Sequence, residues 1–270
     1  MPKNYIALII GNSRLHWAWF VDNILQQAWD TNHLPREQVE QKRRNGEVDV
    51  DLLLRIPFIP SELASINSSD TSLPLYIASV VPHQTQLWQI YPTATVLTLA
   101  DIPLSGVYPT LGIDRALALL GAGETYGYPV LVIDAGTALT FTGANSDRHL
   151  VGGAILPGLG LQLQSLAQKT AALPATPLPS HLPSRWAMQT STAIESGVIY
   201  TILAGIRDFI TDWRCQFPDT QIVLTGGDSQ LLLSYLQNRY PETACQIIVN
   251  PHLVFLGMSL VRPIASLNDL

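Results

Sequence analysis

VLVIDAGTALTFT, residues 130–142, runs from four aliphatic residues into an acid, turns at Gly136-Thr137 and leaves as an alternating strand. The same order occurs near the N-terminus in IALIIGNSRLHWAWF, residues 6–20, where an aliphatic run meets Gly11-Asn12-Ser13 before a second strand. In each, backbone N–H groups and a side-chain hydroxyl converge at a glycine turn the size of a phosphate group. A single Gly-Asn pair makes ordinary hairpins. Its recurrence with a hydroxyl beside it predicts two tips that face each other across a cleft and grip one polyphosphate.

Outward from these hairpins, the first half reads as a three-stranded meander over 5–10, 14–21 and 24–29 and an exposed helix over 35–45. A buried strand at 75–82, a helix near 83–91 and a strand at 94–99 then imply a parallel crossover. The second half repeats the plan: a helix over 114–126, a meander through VLVIDAG, ALTFTGA and HLVGGAILPG, and helices over 158–170 and 190–214. A strand and turn at QIVLTGGD, a helix at 229–239, a strand at 246–249 and a last helix at 251–261 complete it. The order βββαβαβ thus occurs twice, which predicts an α/β protein of duplicated halves, with domains over 1–111 and 112–270. Four prolines within 173–184 mark a surface loop, a candidate lid.

The bulk composition narrows the function. Hydrophobic residues make up 47% and charged residues 13% of 270, enough for two cores. A net charge of -6 and the lack of extensive Lys/Arg clustering argue against a nucleic-acid partner, so a polyanion would be held by local donors. No segment approaches twenty apolar residues, which predicts no membrane span and a cytoplasmic protein. Cys215 and Cys245 lack metal-ligand spacing and read as buried thiols. Of the histidines, His33, His83, His149, His181 and His252 read as surface or structural, and only His16 lies near a turn. The six tryptophans read as core or interface area.

Two acids stand out. Asp114 opens a helix, which suits an N-cap, and also suits the carboxylate a kinase uses to orient and deprotonate an accepting hydroxyl. Arg115 is a solvated helix residue or a fork for a substrate carboxylate. Asp134 ends a strand of aliphatic residues, where a carboxylate needs a cation or donors, so a cation site is expected. TGGD at 225–228 is a tight turn or a seat for a base or ribose.

Eight ordered segments resemble the type III pantothenate kinases of the acetate and sugar kinase/Hsc70/actin superfamily. They are GNSR (11–14), SVVP (79–82), YPTLGIDR (108–115), DAGTALT (134–140), VGGAILPGL (151–159), KTAALP (169–174), TSTAIESG (190–197) and TGGD (225–228). The resemblance implies duplicated ribonuclease-H-like (actin-like ATPase) domains with a central cleft, a homodimer, and ATP-dependent phosphorylation of pantothenate in coenzyme A biosynthesis. It implies Asp114 as proton acceptor, with Tyr108, Gly112, Ile113, Arg115 and Thr190 around pantothenate. It also implies a first phosphate loop over Ile9, Ile10, Gly11, Asn12, Ser13, Arg14, Leu15 and His16, an ATP contact at Thr137, and K⁺ or NH₄⁺ at Asp134 beside Mg²⁺. The segment before GIDR is one residue shorter than in the family. Family members carry Asp two residues before the first loop glycine, where this chain has Ile9, and Thr where it has Ser13. Ser13 keeps the hydroxyl; Ile9 cannot coordinate Mg²⁺. That departure leaves a second reading, a catalytically silent relative with an accessory role, in keeping with the name Bvg accessory factor attached to the family. A third reading is a superfamily kinase acting on a sugar or small acid.

Overall fold

The computed structural model describes residues 4–33 and 73–261, and the helix expected over 35–45 lies outside them. The chain divides into two compact units, residues 1–103 with 108–117 and 254–270, and residues 104–107 with 118–253. This differs from a boundary at 112. The division falls within the helix over Ile113–Tyr126, with the GIDR segment grouped in the first unit.

In the first unit, β1 (Asn4–Ile10), β2 (Leu15–Val21) and β3 (Ile24–Thr31) form an antiparallel meander. Strand β4 (Leu75–Ser79) and strand β5 (Ala94–Val96) add in parallel on the other side of β1, giving the order β3-β2-β1-β4-β5. Central β1 is buried on both faces, as its unbroken aliphatic run requires. On one face Ile6, Leu8 and Ile10 join Trp17, Leu75, Ile77 and Trp88 in a core. The Trp17 ring meets Trp88 edge-on at 4.9 Å, and its Nε1 donates to Thr31 Oγ1 at 2.9 Å. The expected strand over 75–82 stops at Ser79. Pro82 lacks an N–H and starts α1 (Pro82–Trp88), where none is needed.

The second unit repeats the pattern. Helix α2 (Ile113–Tyr126) leads into it. The meander β6 (Val130–Ala135), β7 (Ala138–Ala144) and β8 (Leu150–Pro157) then continues with β9 (Gln221–Thr225) and β10 (Ile247–Val249) in the order β8-β7-β6-β9-β10. Between β8 and β9 come α3 (Leu159–Lys169) and α4 (Thr190–Gln216); α5 (Ser229–Arg239) and a short α6 (Pro241–Ala244) precede β10, and α7 (Leu253–Val261) ends the described chain. The 27 residues of α4 would span about 40 Å at 1.5 Å per residue. Its Ile199, Ile202, Leu203, Ile206, Ile210 and Trp213 lie at helical spacing and enter the core with Leu131, Ile133, Ile222 and Leu224. Gly143 of β7 is dictated by this packing, because any Cβ there would overlap the Trp213 ring. The Trp213 Nε1–H reaches Thr220 Oγ1 at 2.7 Å, so the buried indole is satisfied.

Two expectations are corrected. Cys215 and Cys245 are exposed free thiols rather than buried ones: they fall in the last turn of α4 and just past α6. Trp186 is 88% exposed, outside the core, which leaves it the interface reading given for the tryptophans. The two glycine turns are also not alike. Four residues, Gly11–Arg14, join β1 to β2, closed by Gly11 N–H to Arg14 O at 3.1 Å, whereas two residues, Gly136 and Thr137, join β6 to β7. They match in topology and differ in length. The proline-rich segment 173–184 carries no regular structure and is strapped to its own unit. Tyr235 OH donates to Pro179 O and Tyr200 OH to Pro183 O at 3.0 Å, and Ser196 Oγ donates to Arg185 O just beyond, at 2.6 Å.

Candidate active site

In the first unit the GIDR segment is built by the start of α2. Gly112 precedes the helix, and Ile113 is its first residue and buried. Asp114 sits in the first turn rather than at the cap, with Oδ1 accepting from the Arg115 backbone N–H at 2.8 Å. A Cβ on Gly112 would overlap that same oxygen, so glycine is required for the carboxylate to fold back over the helix start. Burial pushes the Asp114 carboxyl above the usual carboxylate range, while the Arg115 N–H and guanidinium pull the other way. A carboxylate so placed is a stronger proton acceptor than an exposed one and lies nearer working pH.

Arg115 is only 8% exposed, which removes the solvated reading. Its NH1 donates to Tyr108 OH at 3.3 Å, joining the phenol to the helix start despite the shortened segment between them. Tyr108, Gly112, Ile113, Asp114 and Arg115 are therefore one local arrangement of acid, cation and phenol. Thr190 belongs to the second unit, where it is the first residue of α4 and exposed.

The Gly11–Arg14 turn stands on the same first sheet. Asn12, Ser13 and Arg14 are exposed, Ile10 and Leu15 are buried strand ends, and His16 lies half-buried on β2. Ile9 is 8% exposed and aliphatic, so it belongs to the strand packing. His33, read from sequence as structural, places Nε2 2.8 Å from Gly11 O and so braces the turn. Its involvement was invisible in a one-dimensional reading because 22 residues separate the partners.

In the second unit three glycine segments meet at one end of the sheet. Asp134 on β6 is paired with Thr140 on β7 and Thr225 on β9, so DAGT and TGGD are neighbours through the ladder. Gly226 follows Thr225 with φ +91°, and a Cβ there would lie 2.5 Å from both Asp134 Oδ1 and Ala135 O. Asp228 N–H donates to Ala135 O at 2.9 Å, and burial raises the Asp228 carboxyl above its ordinary range. Gly158, at the N-cap of α3, donates its N–H to Thr137 O at 2.9 Å, and a side chain there would overlap Gly136 O. The first amides of α3 are thereby brought to the Gly136-Thr137 turn, a polar environment suited to anions. The VGGAILPGL segment carried no assigned role in the sequence reading; its glycine before a helix was the available signal.

Asp134 Oδ1 lies at this strand end near the carbonyls of Ala135 and Ala138, which accept from the Asp228 and Gly136 N–H groups. No group of three or more His, Cys, Asp or Glu side chains among the described residues is arranged to hold a metal. Mg²⁺ that keeps its waters and binds chiefly to nucleotide phosphates needs no such cage.

A model of the family "Type III pantothenate kinase" matches residues 5–212. A type III pantothenate kinase of Nostoc sp. is 52% identical over 263 residues, covering 97% of this chain and 95% of the relative. One from Synechocystis sp. is 42% identical over 262 residues, covering 96% and 91%. Among solved structures, a protein from Campylobacter jejuni described as a Baf family transcriptional activator has a TM-score of 0.59 at 21% identity, covering 95% of this chain and 96% of its own. The ethanolamine utilization protein EutJ from Carboxydothermus hydrogenoformans has a TM-score of 0.52 at 8% identity, covering 97% and 91%. These two share the fold alone. Matched along nearly its whole length by relatives that carry one name, the chain belongs to the type III pantothenate kinase family.

Proposed function

We propose that this chain transfers the γ-phosphoryl group of ATP to the primary hydroxyl of pantothenate, giving 4′-phosphopantothenate in coenzyme A biosynthesis, with Asp114 accepting the hydroxyl proton. The observation that carries the assignment is the partly buried carboxylate at the start of α2, raised in proton affinity and flanked by Arg115 and Tyr108. In this mechanism Asp114 holds the hydroxyl in line and takes its proton as the phosphoryl group departs. The Arg115 guanidinium, with Tyr108 and Gly112 near it and Thr190 from the second unit, binds pantothenate and its carboxylate. Amides of the Gly11–Arg14 and Gly136-Thr137 turns, with the hydroxyls of Ser13 and Thr137, hold the phosphates.

Asp134 would hold K⁺ or NH₄⁺, and such a cation offsets charge developing on the phosphates. Mg²⁺ would enter on ATP. The reading requires the two phosphate-binding turns to serve one nucleotide. The accessory, silent reading of the chain finds no support in relatives named as kinases at 42% and 52% identity. A cytoplasmic location belongs to the same proposal; no helix among the described residues is long and apolar enough to cross a membrane.

The deciding assay supplies purified protein with ATP, Mg²⁺, K⁺ and pantothenate and measures phosphopantothenate. Product is expected, and replacement of K⁺ by Na⁺ should reduce turnover. No product at any metal or K⁺ concentration would overturn the reaction, and indifference to the monovalent ion would remove the role given to Asp134.

A homodimer is part of the same proposal, supported by apolar side chains left exposed just before Thr190, Trp186 and Met188. Light scattering should give about twice the chain mass of 29.6 kDa. A monomeric mass at assay concentration would refute it.

A further inference from the structure

Strand β3 runs beside β2 and ends level with its start, Thr31 opposite Leu15, where Thr31 Oγ1 accepts from Trp17 Nε1–H at 2.9 Å. Two residues past that end, half-buried His33 sets its Nε2 2.8 Å from Gly11 O. A carbonyl only accepts, so this nitrogen carries a proton and donates.

The bond falls on a particular carbonyl. At the neck of the Gly11–Arg14 turn, Gly11 N–H donates to Arg14 O at 3.1 Å, and a fully closed antiparallel pair would return a second bond from Arg14 N–H to Gly11 O. Among the described residues that second backbone bond is not made. The imidazole takes its place, and the turn is left open on that side. The Gly11–Asn12 peptide is trans, and in a planar trans peptide the C=O and the next N–H point in opposite directions. A donor fixed on Gly11 O therefore turns the Asn12 N–H away from the imidazole, at a tip where Asn12, Ser13 and Arg14 are all exposed.

The simplest account is a hydrogen bond that steadies a hairpin end. Water would satisfy an accessible carbonyl equally well. What a ring carried by β3 adds is a fixed plane for the peptide.

We propose, on the reading of residues 9–16 as a phosphate loop, that His33 is a positioning residue for the nucleotide: by holding Gly11 O it aims the Asn12 N–H at a phosphate oxygen of ATP. His33 itself touches no ligand. An amide already aimed binds an anion without the cost of reorienting its peptide. With the donor gone, the half-closed turn is free to rotate that peptide and lose the contact.

The test uses the full chain and two probes, the β,γ-imido analogue of ATP with Mg²⁺, and adenosine, which lacks phosphates. His33→Leu should weaken analogue binding about 5- to 20-fold, part of what a hydrogen bond to a charged group contributes. The KM for ATP should rise by the same factor, while the KM for pantothenate and the affinity for adenosine stay within about twofold. His33→Gln restores an N–H donor and should bind the analogue within about threefold of the native chain, a rescue that a role in packing would not give. A folded Leu variant that binds the analogue as the native chain does would overturn the proposal and leave the kinase reading standing. Equal losses for adenosine and the analogue would overturn it as general damage to the site, and equal losses in the Leu and Gln variants would overturn the part given to the donor. Should the Leu variant not fold, the native chain decides: the Asn12 amide proton should move downfield with the analogue and not with adenosine, and an Asn12 amide indifferent to the analogue would overturn the proposal. A native chain that binds no analogue would overturn the phosphate-loop reading, and this proposal with it.

Discussion

Asp114→Asn lowers turnover by about 10²- to 10⁴-fold, the range that a positioned general base contributes, while ATP binding and the fold persist. Asparagine is nearly isosteric, and its Oδ1 can still accept from the Arg115 N–H that the carboxylate now holds at 2.8 Å. The start of α2 is therefore kept, and what is lost is the ability to take a proton. Single-turnover measurement of phosphopantothenate, with calorimetric titration of the ATP analogue, separates the two. Turnover close to native would reduce Asp114 to a helix-start residue.

The same side chain sets a pH dependence. Burial raises its folded-state affinity for a proton above that of an ordinary carboxyl, near 3.9 when exposed. The base works only when ionised, so the acid limb of kcat/KM should lie above that ordinary range and vanish in the Asn variant. Stability runs in the opposite direction. With its affinity raised on folding, the folded state binds more protons than the unfolded one, and stability falls as pH rises from the ordinary carboxyl range through the raised value. Above the raised value the ionised group carries that full penalty, so there the Asn variant should melt no lower than the native chain. A clearly lower melting temperature would show that the charge stabilises the helix start after all.

How much of this could be read from the chain depends on the range of the interaction. The two meanders, the paired crossovers and α4 follow from period-two and helical patterning; the meanders and α4 formed close to their expected bounds, while the first crossover's strands ended at Ser79 and Val96 rather than at 82 and 99. Asp114 and Arg115 were legible as candidates because they sit in one short segment at a helix start. Neither the choice between solvated residue and fork for Arg115 nor the union with Tyr108 could be made without burial. The contacts of His33 with Gly11 and of Asp30 with His16 cross from one strand to another, and no local pattern announces them. The cysteines failed for a related reason: residue type predicts average burial, while the outward side of a helix end decides the particular case. Likewise the two glycine turns read alike because composition does not fix loop length; the pairing of Ile10 with Leu15 and of Ala135 with Leu139 does.

Gly226→Ala should damage the second unit's glycine cluster, and Gly227→Ala should not. Gly226 holds φ +91°, a conformation that side chains with a Cβ adopt at a penalty of about 1–3 kcal/mol. Its new methyl would also fall 2.5 Å from Asp134 Oδ1 and from Ala135 O, the carbonyl that accepts from Asp228 N–H. Relief requires TGGD to lift off the end of β6 or the Asp134 carboxylate to swing aside. Either movement disturbs the oxygens assigned to the monovalent cation and the turn assigned to the nucleotide. The expected result is a lowered melting temperature together with about a tenfold or greater rise in the K⁺ concentration for half-maximal activity, since 1.4 kcal/mol of lost cation binding is a factor of ten. A methyl on Gly227, one residue along the same turn, meets nothing within 4 Å, so that variant serves as the internal control. Melting curves and K⁺ titrations of the two variants decide the matter. If both lose stability and K⁺ response equally, the turn tolerates no side chain for reasons unrelated to Asp134. If both behave as native, the close approach of Gly226 to that carboxylate has no part in cation binding.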